Sequence, residues 1–153
     1  MYLVGAIVLV VILLIYIGSS RANTLNEYMT GVWIATPEFC EESEVESLMI
    51  VLDTPVTSLL GSSSRIGYIV ATPDMINTAM TLKYSRGYAV SPHEYRVNAT
   101  VEFDEGELWD KNITISVNML YGGMKIYSKD TLYASMYKNH EVSESVLANL
   151  AAD

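Results

Sequence analysis

Hydrophobic and polar positions follow two different rules along this chain, and the change comes near residue 20. Residues 2–17 read YLVGAIVLVVILLIYI, with no charge, amide or proline. A helix there is apolar all round, with no polar face to turn to water. Sixteen residues of helix rise about 24 Å, close to the roughly 30 Å of a hydrocarbon core. Met1, Gly18 and local bilayer thinning make up the difference. The pattern predicts a transmembrane anchor over residues 1–20. Its membrane-facing positions include Tyr2, Leu3, Val4, Val8, Leu9, Ile12, Leu13, Tyr16 and Ile17. Tyr2 and Tyr16 stand at opposite ends, where interfacial aromatics belong. A cleaved secretory signal is the competing reading. No Lys or Arg precedes the apolar run, although Ser20 and Ala22 fit a small-x-small cleavage rule.

After residue 20 the period becomes two. Residues 21–27 form a short polar stalk, and residues 29–35 have strand chemistry, ended by Pro37. Residues 38–46 carry five glutamates and suit a helical turn or an acidic loop. Ser43 and Glu46 there have capping-box spacing. Residues 47–53 read as a buried strand, residues 65–71 form another strand, and 78–84 alternate. The clearest alternation puts Tyr95, Val97, Ala99, Val101 and Phe103 on one face, with Arg96, Asn98, Thr100 and Glu102 on the other. Ile113, Ile115, Val117 and Met119 repeat it, and Gly122-Gly123 marks a hairpin turn. Met124 and Ile126 continue, and Leu132, Ala134 and Met136 close the series.

The fold class is therefore all-β with an N-terminal transmembrane helix. About eight strands joined by short turns make an antiparallel meander over residues 28–140, as a barrel or a sandwich. Eight strands suffice to close a barrel and remove the exposed edges. The tail, residues 141–153, reads as a short amphipathic helix with Val142, Val146, Leu147 and Leu150 on one side.

Composition narrows the function. Eighteen acidic against nine basic residues give a net charge of −9, which repels phosphate backbones and argues against nucleic acid as a partner. Eleven tyrosines against two phenylalanines suit a surface that is apolar but wet. Cys40 is the single cysteine, so an intrachain disulfide and a cysteine-based metal site are excluded, and an intermolecular bridge stays open. His93 and His140 lie in polar, turn-like surroundings. Arg21, the charge nearest the apolar run, favours a cytoplasmic C-terminal domain, whereas the sequons at Asn98 and Asn112 point the other way.

No residue set spells a catalytic site. There is no G-x-S-x-G elbow, H-E-x-x-H, phosphate loop or dinucleotide fingerprint. Glu38, Glu41, Glu42, Glu44 and Glu46 lack the spacing and glycine of an EF-hand loop. They read as a solvated acidic face and a partner surface, not a metal site. Asp104, Glu105, Glu107 and Asp110 form a second acidic turn. An enzyme, a cofactor and a small-molecule substrate are not expected.

Two resemblances meet at one stretch. Gly31-Val32-Trp33 is similar to the glycine-x-tryptophan signature that opens the first lipocalin strand. That resemblance implies a barrel closed at one end by Trp33, tethered here and holding an apolar ligand. The chain departs from the family in lacking its usual disulfide and in its N-terminal anchor. The block over residues 28–43, with Leu48 to Leu52 after it, resembles small single-span proteins of nucleocytoplasmic large DNA viruses. This second resemblance implies a minor capsid protein: a structural virion component that joins the internal membrane to the capsid shell. Its partners would be the lipid bilayer and other capsid or membrane proteins, and its place the internal membrane beneath the capsid. No site residue comes with it.

Overall fold

The computed structural model describes residues 2–85 and 87–141, with backbone alone at residues 2–3 and 16–23. Ten strands are formed among the described residues: β1 (Gly31–Ala35), β2 (Ser47–Leu52), β3 (Val56–Thr57), β4 (Ser63–Thr72), β5 (Ile76–Tyr84), β6 (Tyr88–Ala89), β7 (Glu94–Phe103), β8 (Asn112–Asn118), β9 (Gly123–Ser128) and β10 (Thr131–Lys138). Eight of them close an antiparallel barrel in the order β1, β2, β4, β5, β7, β8, β9, β10. β10 returns to β1 with Trp33 opposite Lys138, and β2 pairs β4 from Ser47–Thr72 to Leu52–Gly67. The two-residue strands β3 and β6 lie outside the ring, on β4 and β7. Among the described residues, closure leaves no long unpaired edge to recruit a foreign strand.

The inward positions form one hydrophobic core of Trp33, Ile50, Leu52, Met80, Leu82, Ile115, Met124, Ile126 and Met136, all 2% exposed or less. The residues expected to point inward on β7 and β8 do so: Val97, Ala99, Val101, Ile113, Ile115 and Val117 are buried, and Tyr95 packs partly against them. Packing is tight at Gly67, where a Cβ would lie 2.9 Å from Met80 Cε and 3.0 Å from Leu52 Cδ2.

Helix α1 (Tyr2–Met29) changes the expected organisation. The polar stalk over residues 21–27 is not a stalk: α1 runs unbroken through it, and Leu25, Asn26 and Met29 are buried in the barrel end. The strand expected from residue 29 begins at Gly31, because Met29 is the last helical residue. The side chains described between residues 4 and 15 are all exposed. Twelve helical residues rise only about 18 Å. Among the described residues no helix is long and apolar enough to cross a membrane, so the anchor over residues 1–20 rests on the sequence.

Between β1 and β2 lies α2 (Pro37–Ser43). Its N-cap is Thr36, whose hydroxyl accepts from the Phe39 amide at 3.3 Å, and Pro37 takes the first helical position, where its missing N–H costs nothing. The capping box expected at Ser43 and Glu46 does not form, since Ser43 ends α2 and Glu44 turns left-handed at φ 56°. Cys40 is a free, partly buried thiol on α2. The amphipathic helix expected over residues 141–153 lies outside the described residues apart from Glu141.

Candidate functional site

The most elaborate polar construction in the molecule is the junction of α1 with the barrel. A helix leaves its last four carbonyls without intrahelical partners. In α1 these belong to Asn26, Glu27, Tyr28 and Met29, and each meets a donor from outside the helix. Arg65 Nη2 donates to the Asn26 carbonyl at 3.0 Å, which also accepts from Thr30 Oγ1 at 2.9 Å. The Thr30 amide donates to the Glu27 carbonyl at 3.2 Å. Lys138 Nζ donates to the Tyr28 carbonyl, and Trp33 Nε1 to the Met29 carbonyl at 2.9 Å. Thr30 follows α1 directly; the other donors, Trp33, Arg65 and Lys138, come from β1, β4 and β10, so three strands around the ring grip one helix end.

Electrostatics fit this arrangement. A helix C-terminus carries the equivalent of about half a negative charge, and cations there are favourable. Arg65 and Lys138 supply two. Lys138 Nζ also sits 5.0 Å from the Tyr28 ring centroid and 5.8 Å from that of Trp33. Arg65 is 2% exposed and, among the described residues, has no carboxylate in ion-pair contact. Its fork is filled by neutral acceptors instead: the Asn26 carbonyl, Tyr84 Oη at 2.9 Å from Nε, and Thr30 Oγ1 at 3.4 Å from Nη1. Tyr84 Oη passes its own proton to Asn26 Oδ1 at 2.8 Å, and Asn26 Nδ2 reaches Ser63 Oγ at 3.3 Å. Burial lowers the Arg65 guanidinium from its ordinary range, opposed by Tyr84, and raises the Tyr84 phenol, opposed by Arg65. Burial, then the charge of Arg65, lowers the Lys138 ammonium.

This geometry suits holding, not reacting. Every polar group of the junction described above is spent on another. Among the described residues, no three His, Cys, Asp or Glu side chains gather where they would hold a metal ion.

The sequence-predicted positions fall elsewhere. Val4, Val8, Leu9, Ile12 and Leu13 stand exposed along α1, and the side chains of Tyr2, Leu3, Tyr16 and Ile17 lie outside the described residues. Glu38, Glu41, Glu42, Glu44 and Glu46 are all exposed on α2 and the turn after it, at the barrel end opposite α1. Glu41 and Glu42 lie toward the negative pole of α2, with no basic residue in its last turn, which disfavours them locally. Asp104, Glu105, Glu107 and Asp110 are exposed in the β7–β8 connection at the same far end. That connection is held by Trp109, stacked on Tyr133 at 5.7 Å and edge-on to Phe103 at 5.4 Å. It borders a hollow of about 610 Å³.

A larger open cleft of about 830 Å³ runs between β3, the end of β5 and the start of β8. Serine, threonine and asparagine dominate its walls, and both sequon asparagines, Asn98 and Asn112, are exposed there. The residues that sequence reasoning missed are Asn26, Arg65, Tyr84 and Lys138. One signal was available: Arg65 opens the otherwise uncharged, mostly apolar run RIGYIVA, where a buried arginine needs partners.

No protein-family model, curated protein or solved structure matches this chain.

Proposed function

We propose that this chain is a membrane-anchored structural protein, a minor capsid component that joins an internal viral membrane to the capsid shell. One observation carries the reading: three of the four terminal carbonyls of α1 are bonded by barrel side chains, those of Arg65, Lys138 and Trp33. A tether that serves only as an address needs no such grip. A linker that transmits position from a membrane to a shell does, because the barrel must keep its orientation to the helix.

Two further features support it. The apolar side chains at residues 4–15 of α1 are exposed, and an aliphatic side chain left in water forgoes about 1.5–3 kcal/mol that burial supplies. With residues 2–17 in lipid that surface is covered. At the far end, the exposed glutamates of α2 and the β7–β8 carboxylates form an acidic surface for basic partner proteins, giving specificity more than affinity.

The alternative is a tethered lipocalin-like barrel with an apolar ligand, which needs an interior cavity of roughly 300 Å³ or more. The packed inward cluster and the lack of room at Gly67 favour the structural reading.

The test is fractionation of purified virus particles. The chain should be present in them and should stay with the shell proteins after detergent removes the lipid. Its absence from particles overturns the proposal.

A further inference from the structure

The connections at the two barrel ends differ in kind. At the far end they carry the carboxylates, and the large apolar residue exposed in them, among the described residues, is Met75. At the end that receives α1, the tips are apolar. Leu59 and Leu60 in the β3–β4 turn are almost wholly exposed, as is most of Tyr121 in the β8–β9 turn beside Leu120. Val90, after β6, is about half exposed. Across the described residues of these three connections, 53–62, 85, 87–93 and 119–122, Asp53 is the one Asp, Glu, Lys or Arg, and by sequence Arg86 stands in the second connection. Single exposed apolar side chains are ordinary, but three apolar tips around one helix are a patterned surface.

We infer that this end of the barrel seats directly on the lipid surface, with Leu59, Leu60, Val90, Leu120 and Tyr121 entering the headgroup layer around α1. The inference rests on the reading of residues 2–17 as a membrane anchor. The occupant follows from continuity, since the ring of tips surrounds the same helix whose exposed apolar residues lie at 4–15.

The distances agree. Asn26 is level with the base of the β3–β4 hairpin, because its amide reaches Thr57 Oγ1 and Ser63 Oγ. From Asn26 back to Ile17 the helix rises about 13 Å. The hairpin tip extends two or three residues beyond Ser63, up to about 10 Å at strand rise. The remaining gap of a few ångströms lies within the headgroup layer, which adds roughly 5–8 Å to each side of the hydrocarbon core. Tyr121, with an apolar ring and a polar tip, suits that layer. Seating and clamping then act together: the junction fixes the helix to the barrel, and the tips limit the barrel's tilt against the bilayer.

The test uses the full chain with Cys40→Ser, reconstituted in phosphatidylcholine nanodiscs. A single environment-sensitive fluorophore is placed at Leu60→Cys, Tyr121→Cys or, as the far-end control, Met75→Cys. All three sites are highly exposed, so the label does not disturb the core. The labels at 60 and 121 should shift to the blue and be quenched several-fold more strongly by headgroup-attached nitroxide than the label at 75. If the chain stays in the nanodisc while all three labels remain equally wet, the seat is overturned and the anchor stands. If the chain elutes free of the nanodisc, the anchor fails and the seat falls with it.

Discussion

Arg65 donates to the carbonyl of Asn26 at 3.0 Å, across 39 residues of sequence and from a strand to the last turn of a helix. A buried guanidinium normally needs a carboxylate. Here the negative pole of α1 and three neutral oxygens take that part, so strand β4 and the helix are locked to each other by charge and geometry together.

Replacing Arg65 by lysine should therefore not be conservative. An ammonium cannot reach Asn26, Tyr84 and Thr30 from one plane, and hydrogen bonds to charged groups are worth about 1.5–3 kcal/mol each. We expect Arg65→Lys to lose at least one such bond, seen as a lower midpoint in chemical denaturation. An unchanged midpoint would mean that the fork contributes nothing.

Gly67 faces a filled interior. Its missing Cβ would fall 3.1 Å from the Val51 carbonyl as well as close to Met80 and Leu52. Gly67→Ala should cost about 1–3 kcal/mol by overpacking. The double variant Gly67→Ala with Met80→Val should recover part of it, because Met80 Cε is the nearest atom. Recovery is read from the same denaturation curves.

Tyr84 gives the junction an alkaline signature. Its folded pKa is raised above the ordinary 10.0, with burial the largest cause. Its contribution to stability is thus complete below pH 10 and is lost as pH rises through the folded value. Lys138, lowered from 10.5 mainly by burial, acts with the opposite sign below 10.5. Comparing the full chain with Tyr84→Phe isolates the first effect: the fall in stability above pH 10 should be shallower in the variant. Burial raises the Tyr28 phenol as well, so ultraviolet titration of the tyrosines should show late-forming phenolates in the full chain and one fewer of them in Tyr84→Phe.

Truncation separates anchor from plug. Removing residues 1–20 leaves Leu25, Asn26 and Met29 in place, and the chain should still unfold cooperatively. Removing residues 1–30 takes away two buried apolar side chains, Leu25 and Met29, each worth about 1.5–3 kcal/mol, and leaves Arg65 only Tyr84 of its three partners. The shorter chain should melt much lower or not fold. Equal melting of the two would show that α1 is not part of the core.

The sequence by itself determined the strands and their faces. Alternation on residues 95–103 and 113–119 fixes which side chains turn inward, because a strand has a period of two and a half-buried sheet rewards it. Gly122 and the short turns fix the meander. Residues 21–27 read locally as a linker, because a polar segment follows an apolar run, whereas α1 continues through them. What keeps it helical lies on β1, β4 and β10, and local composition does not carry those contacts. The same holds for the site. Arg65 and Lys138 look like ordinary strand charges until barrel closure brings both to the carbonyls of α1. The loops divide into an acidic end and an apolar end only once the ring fixes which connections share an end. Tertiary structure decided these points, since pairing a helix terminus with distant donors, and sorting loops by barrel end, are properties of the closed ring and not of any window along the chain.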